Sequence, residues 1–199
     1  MTSRTLALEA FEADPRVVEA KASLLATLRE HRARLVGPKP AEPGRSLAYR
    51  DALDRFAEVR GGGLFYPYLG SGFGSGALVE LADGSVKLDM ICGIGVHYFG
   101  HGDPELSEHL IDAALQDTVM QGNLQQTAAS LELSASFLAL ANDRGAALDH
   151  CFLTTRGAMA NENALKLAFH RHAPADRVLA FAGAFAGRAI ALSPVTDTP

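Results

Sequence analysis

At 199 residues, with 48% hydrophobic and 21% charged side chains, the chain has the make-up of a folded globule and enough length to bury roughly 70% of its unfolded surface. A net charge of −5 argues against nucleic acid or an anionic membrane as the main partner, and two cysteines, Cys92 and Cys151, are too few for a disulfide scaffold and fit a reduced, cytoplasmic setting. No apolar run reaches the ~18 residues of a membrane span, and Glu9 interrupts the start where a signal peptide would be apolar.

The first predicted element is a helix over residues 14–36, with Asp14 as N-cap, Pro15 at the first helical position and an apolar stripe through Val17, Leu24, Leu28 and Leu35. Gly37 to Gly44 holds Pro38, Pro40 and Pro43 and reads as a stiff surface linker. A second helix follows from Ser46 to Arg60, burying Leu47, Leu53, Phe56 and Val59, and Gly61-Gly62-Gly63 stops it. Gly70 to Gly76 looks like a phosphate loop but lacks the Gly-Lys-Ser/Thr ending, so it reads as a flexible turn. Ala77 to Leu81 and Val86 to Met90 alternate as strands, joined by a hairpin turn at Asp83-Gly84. Asp103-Pro104 opens a helix to about Met120 with Leu106, Leu110 and Ile111 on its core side, and another helix covers Thr127 to Ala141.

Next, Cys151 to Thr154 reads as a strand, Gly157 to His172 as a helix and Arg177 to Phe181 as a strand. That order predicts a βαβ unit and an α/β fold with a parallel pair. The turn Thr154-Thr155-Arg156-Gly157-Ala158 then lies at a strand's carboxyl end and a helix's amino end, where unpaired N–H groups and the helix dipole suit an anion. Taken alone it reads equally well as a plain Thr N-cap. The seven histidines suggest no metal set: His170 and His172 diverge on a helix, and Gly100 and Gly102 disfavour a helix that would align His97 with His101.

Phe152 to Lys166 resembles the Ser-Gly-Ala-Glu-Ala-Asn-Glu signature of class III pyridoxal-phosphate-dependent aminotransferases, the acetylornithine and ornithine aminotransferase group. Phe185-Ala186-Gly187-Arg188 is similar to that family's Phe-His-Gly-Arg. Gly93-Ile94-Gly95-Val96 and Gly100-His101-Gly102-Asp103-Pro104 resemble its Gly-Ile-Gly-Val and Leu-Gly-His-x-His-Pro, and Asp83-Gly84 with Leu88-Asp89 matches the hairpin before them. The resemblance spans about residues 64–199, in the family's order.

It implies a fold-type-I transferase of the α/β class: residues 1–60 as a helical extension, 61–100 as a small antiparallel hairpin region, and 101–199 as the first part of a large cofactor-binding domain. It also implies pyridoxal 5'-phosphate as cofactor, held by backbone N–H groups of Gly157 and Ala158 and by Phe185 stacked on the ring, with Arg156 beside the phosphate and Arg188 binding a substrate carboxylate. Phe185 has a plainer alternative as a core aromatic. The substrates implied are an amino acid or amine and a 2-oxo acid, and the assembly a homodimer, with Gln121 to Leu124 reaching toward the neighbouring subunit's site.

The chain departs from the pattern in places. Arg156 replaces a Ser, opposing the helix dipole by about 0.3–1 kcal/mol yet attracting phosphate; Met159 replaces a Glu, and Ala186 an aromatic or His. The Asp that pairs with the pyridine nitrogen and the Lys that forms the Schiff base are expected beyond Pro199. Of Lys21, Lys39, Lys87 and Lys166, the last lies on the right helix but about 13 Å along its axis from the phosphate end. The 199 residues are therefore expected to be the inactive amino-terminal part of an aminotransferase. The alternatives are a non-catalytic half-length homologue acting as a binding or structural partner, and another phosphate-ligand enzyme using the same turn.

Overall fold

The computed structural model describes residues 5–117 and 126–197. The chain divides into two units, Met1–Thr118 and Val119–Pro199.

The first unit begins with helices α1 (Ala7–Glu12), α2 (Pro15–Arg32) and α3 (Ser46–Arg60). Asp14 caps α2 as expected, accepting from the Arg16 N–H at 2.9 Å, with Pro15 in the first turn. The helix closes at Arg32, four residues short of the predicted end. The bounds of α3 are those expected, and its end is shaped by Gly61, whose φ of +78° is the left-handed conformation a helix stop needs. Its predicted burial does not hold. Leu47 is 68% and Val59 84% exposed, and Phe56 is also open, because the described residues stack no second layer on that stripe. What ties α3 down is polar: the Tyr49 hydroxyl donates to the Pro67 carbonyl (3.3 Å) and accepts from the Leu69 N–H (2.9 Å).

Strands β1 (Gly70–Ser75), β2 (Leu78–Leu81) and β3 (Val86–Leu88) form an antiparallel sheet in that order. The β2–β3 hairpin is the predicted one, pairing Leu78 with Leu88 and Glu80 with Val86. Its turn is built by the Asp83 carboxylate, which accepts from the Ser85 N–H at 2.9 Å, and by Gly84 at φ +79°. Leu81, Ser85 and Val86 are buried there.

The glycine-rich segment corrects the sequence reading, since Gly70 to Ser75 is a strand and not a flexible turn. Glycine is a poor strand former in isolation, but position 74 requires it. A Cβ on Gly74 would lie 2.7 Å from the His101 Cβ and 2.9 Å from the Leu78 carbonyl oxygen, so only a bare backbone lets the His101 segment cross. His101 and Gly76 exchange both backbone bonds, at 2.9 and 2.7 Å. The proline-rich linker is likewise more than a spacer: Lys39 pairs with Val86 on the free side of β3, exchanging bonds of 3.0 and 2.9 Å.

After an irregular turn, α4 (Cys92–Gly95), comes α5 (Pro104–Leu115), capped by Asp103, whose carboxylate accepts from the Leu106 N–H at 2.9 Å. It stops five residues before the predicted Met120; residues 118–125 lie outside the described ones. Leu106 and Leu110 are exposed rather than on a core side. Helix α5 meets α2 through Lys21, whose ammonium lies 2.9 Å from Asp112 and 3.5 Å from Glu108, beside the buried Leu25.

The second unit holds α6 (Ala128–Asp143), capped by Thr127, then α7 (Gly157–Arg171) and a 3₁₀ turn at Ile190–Val195 around the buried Leu192. The helix of the expected βαβ unit is therefore present. Its flanking segments, 151–154 and 177–181, carry no ladder, and every ladder among the described residues is antiparallel. A crossover helix does not itself supply a ladder partner for the segments it joins, and strand structure exists only against a hydrogen-bonding partner. Leu179 and Phe181 are accordingly fully open.

Candidate functional site

The second unit brings the predicted site residues to one place, the amino end of α7. Arg156 occupies the N-cap position in extended backbone (φ −170°, ψ 161°), its side chain caps nothing, and Gly157 and Ala158 form the first turn. A Cβ on Gly157 would meet nothing within 4 Å, so the helix start opens onto free space. The first N–H groups of a helix have no partner within it and are available to an anion. Thr154 is turned elsewhere: its hydroxyl donates to the Arg156 carbonyl at 3.2 Å, so it is not poised to add a bond to a phosphate.

The segment Phe185 to Arg188 sits against this helix through Gly187. A Cβ there would lie 2.8 Å from the Ala158 Cβ and 2.8 Å from the Leu192 Cδ1, and φ is +127°, so position 187 admits glycine alone on two counts. Phe185 is 58% exposed, so it is not the core aromatic that its type also suggested. The Arg188 guanidinium carbon lies 5.3 Å from the centre of the Phe185 ring, a cation–π distance, and places a planar fork of donors beside an open aromatic face.

Three polar side chains that sequence reasoning missed hold this turn and the residues just before it. The Asn161 amide, one helical turn beyond Gly157, donates to the Ala186 carbonyl at 2.8 Å. The Thr196 hydroxyl accepts from the Ala186 N–H (3.2 Å) and donates to the Gly187 carbonyl (2.8 Å). Asp197 accepts from the Gly183 N–H at 2.9 Å, and its own N–H donates to the Ala184 carbonyl at 2.8 Å. Asn161 lay inside the motif already singled out. Nothing in the sequence marked Thr196 or Asp197, because their partners are backbone groups nine to fourteen residues away.

The first unit carries a separate polar cluster. The Asp89 carboxylate lies 2.7 Å from the His101 Nε2 and accepts from the Ile91 and Cys92 N–H groups, each at 2.9 Å. The His101 imidazole, followed by these two backbone donors, holds the Asp89 carboxyl down at about 2. The His97 ring lies 4.1 Å from that of His101. Among the described residues no group of three or more His, Cys, Asp or Glu side chains is arranged to hold a metal ion, and no helix is long and apolar enough to cross a membrane. The stretch Gln121 to Leu124, expected near a neighbouring subunit's site, lies outside the described residues.

Comparison with known proteins points to one family. The model of the family described as aminotransferase class-III matches residues 72–198. An acetylornithine aminotransferase of Corynebacterium efficiens is 33% identical over 129 residues, which is 63% of this chain and 31% of that protein. A diaminobutyrate–2-oxoglutarate transaminase of Nocardia farcinica is 34% identical over 122 residues, 61% of this chain and 28% of that protein. An acetylornithine aminotransferase of Methanothermobacter thermautotrophicus is 29% identical over 118 residues, 59% and 28% of the two chains. The matched stretches thus cover less than a third of the length of these curated relatives. No solved structure matches it. With the family's pattern matched across well over half its length, the chain belongs to the class III aminotransferases.

Proposed function

We propose that these residues are the amino-terminal part of a pyridoxal-phosphate-dependent aminotransferase that exchanges an amino group between an amino acid or amine and a 2-oxo acid. The observation that carries the reading is the seating of Gly187 on Ala158, which sets an open aromatic ring and a guanidinium beside an uncapped helix start. Each part suits one portion of such a complex. The residues suit the cofactor: a Cβ at position 157 would meet nothing within 4 Å, and a phosphate would find the N–H groups of Gly157 and Ala158 there, with Arg156 adding charge. Phe185 would lie against the pyridine ring, and Arg188 would grip a substrate carboxylate with its planar fork. When bound, pyridoxal phosphate supplies an electron sink for bonds broken at the substrate's amino-bearing carbon. This chain's residues bind and orient; none of its four lysines belongs to the cluster, and we expect no turnover from the 199 residues alone. The complete protein is proposed to act as a homodimer, as the family does. The names of the relatives favour an amino acid over a simple amine as donor.

Calorimetric titration with pyridoxal phosphate and with pyridoxal tests the site. We expect the phosphate form to bind about tenfold or more tightly, as charge-assisted bonds at a helix start require. Equal binding of the two forms, or no saturable binding, overturns the assignment of Gly157 and Ala158. Borohydride reduction followed by mass spectrometry tests the expected inactivity: cofactor fixed to a lysine of this chain would refute it. The second reading, a non-catalytic binding partner, is favoured by Arg156, whose exposed side chain caps nothing where the family places a Ser. An intact mass of the natural product near that of this chain supports it, and one about twice as large supports the enzyme.

A further inference from the structure

We propose that Asn161 and Thr196 are positioning residues which together lock the turn between Phe185 and Arg188 onto the first two turns of α7. The inference rests on the reading above, in which that turn carries the ring-stacking and carboxylate-binding groups. Its basis is the disposition of the backbone polar atoms between the two side chains. The Ala186 N–H goes to Thr196, the Ala186 carbonyl receives Asn161, and the Gly187 carbonyl receives Thr196. A single hydroxyl therefore spans consecutive residues, using its one donor and one of its acceptor positions. The third bond comes from α7 itself, the helix whose start would receive the phosphate.

The conformation held is one the chain would not keep unaided. Gly187 at φ +127° is free to leave that basin, since glycine populates many others at little cost. What is held is also exposed, because Phe185 and Arg188 both face solvent. Packing alone gives no reason to fix two solvent-facing side chains against each other, whereas binding a planar ring and a carboxylate in one register does. Asp197 is set apart by its partners, Gly183 and Ala184, which precede the turn.

The test compares Thr196→Val, Thr196→Ser and Asn161→Ala in the full 199-residue chain, with pyridoxal phosphate as the probe ligand. Nuclear magnetic resonance reads the ring-current shift of Phe185 on the Arg188 side-chain protons and the exchange protection of the Ala186 N–H, with the amides of α7 as a control for folding. Calorimetry reads affinity. In Thr196→Val we expect the ring-current shift to vanish and Ala186 to lose protection, with α7 unchanged and affinity weaker by about five- to tenfold, the scale of a lost buried hydrogen bond. Thr196→Ser should restore all three, and Asn161→Ala should fall between. If Thr196→Val unfolds α7, Asn161→Ala decides alone: a retained shift and unchanged affinity overturn the proposal. Loss of the shift in a variant that binds as tightly as the parent also overturns it, and leaves the cofactor reading intact. A parent chain that binds no pyridoxal phosphate refutes the cofactor reading instead, and the shift and exchange data then judge the lock independently.

Discussion

The β2–β3 hairpin and the turn carrying Phe185 and Arg188 are both short and both depend on a glycine with positive φ, yet they are held by different means. The hairpin is fixed by backbone pairing to its own neighbour and by burial of Leu81 and Val86. The turn has no ladder; it is fixed by the side chains of Asn161 on α7 and of Thr196 reaching backbone atoms, with Leu192 beneath. A ladder needs only alternation and a permissive turn, so many sequences make one. A turn held by two distant side chains needs each of them, and its failure would be abrupt.

Substitutions that remove one support at a time sharpen this contrast. The largest effect is expected from Leu192→Ala, at 1% exposure, and from Gly187→Ala, which adds a Cβ where Ala158 and Leu192 already stand. Each should cost about 3 kcal/mol in urea denaturation, and each should release the turn from α7, visible as lost protection of Ala186. Val86→Ala, at 2% exposure, should cost about 2 kcal/mol while leaving the β2–β3 pairing detectable by exchange. Gly61→Ala adds its Cβ to open space, so only the left-handed backbone is penalised, by about 1 kcal/mol. A cost at position 61 equal to that at 187 would refute the claim that crowding sets the latter apart.

The smallest effect concerns acid. Asp89 ionises at about 2 in the folded chain against 3.8 ordinarily. Its folded value is the lower one, so its contribution is complete above pH ~4 and disappears as the pH falls toward 2. Asp89→Asn should therefore flatten part of the decline in the urea midpoint between pH 4 and 2, leaving the part due to Asp14 and Glu42, which their arginine partners also hold low. An unchanged decline in the variant would show that the His101 contact does not matter to folding.

What could be read in advance follows the same division. Asp14-Pro15, Asp103-Pro104 and Asp83-Gly84 act on residues within a few places of themselves, and the caps and turn they predict are present. The four-part motif located the amino end of α7 and the Phe185 turn without revealing how they are joined. Gly70 to Ser75 misled because its strand is decided by pairing with β2, its glycine at position 74 by the close approach of His101 some thirty residues on, and glycine's own preference points the other way. The paired strands expected at 151–154 and 177–181 failed for a related reason, since composition marks a segment as able to pair but cannot supply its partner. Thr196 was invisible because a threonine bonded to two backbone groups looks like any other threonine.

The one-residue pairing of Lys39 with Val86 bears on solubility. Alternate N–H groups of an extended segment point to opposite sides, so with that of Lys39 directed at β3, positions 38 and 40 direct theirs outward. Both are prolines and offer no proton there. A second molecule approaching this border would meet acceptors without donors, so the sheet is finished on that flank, and strand-by-strand accretion of copies has nowhere to start.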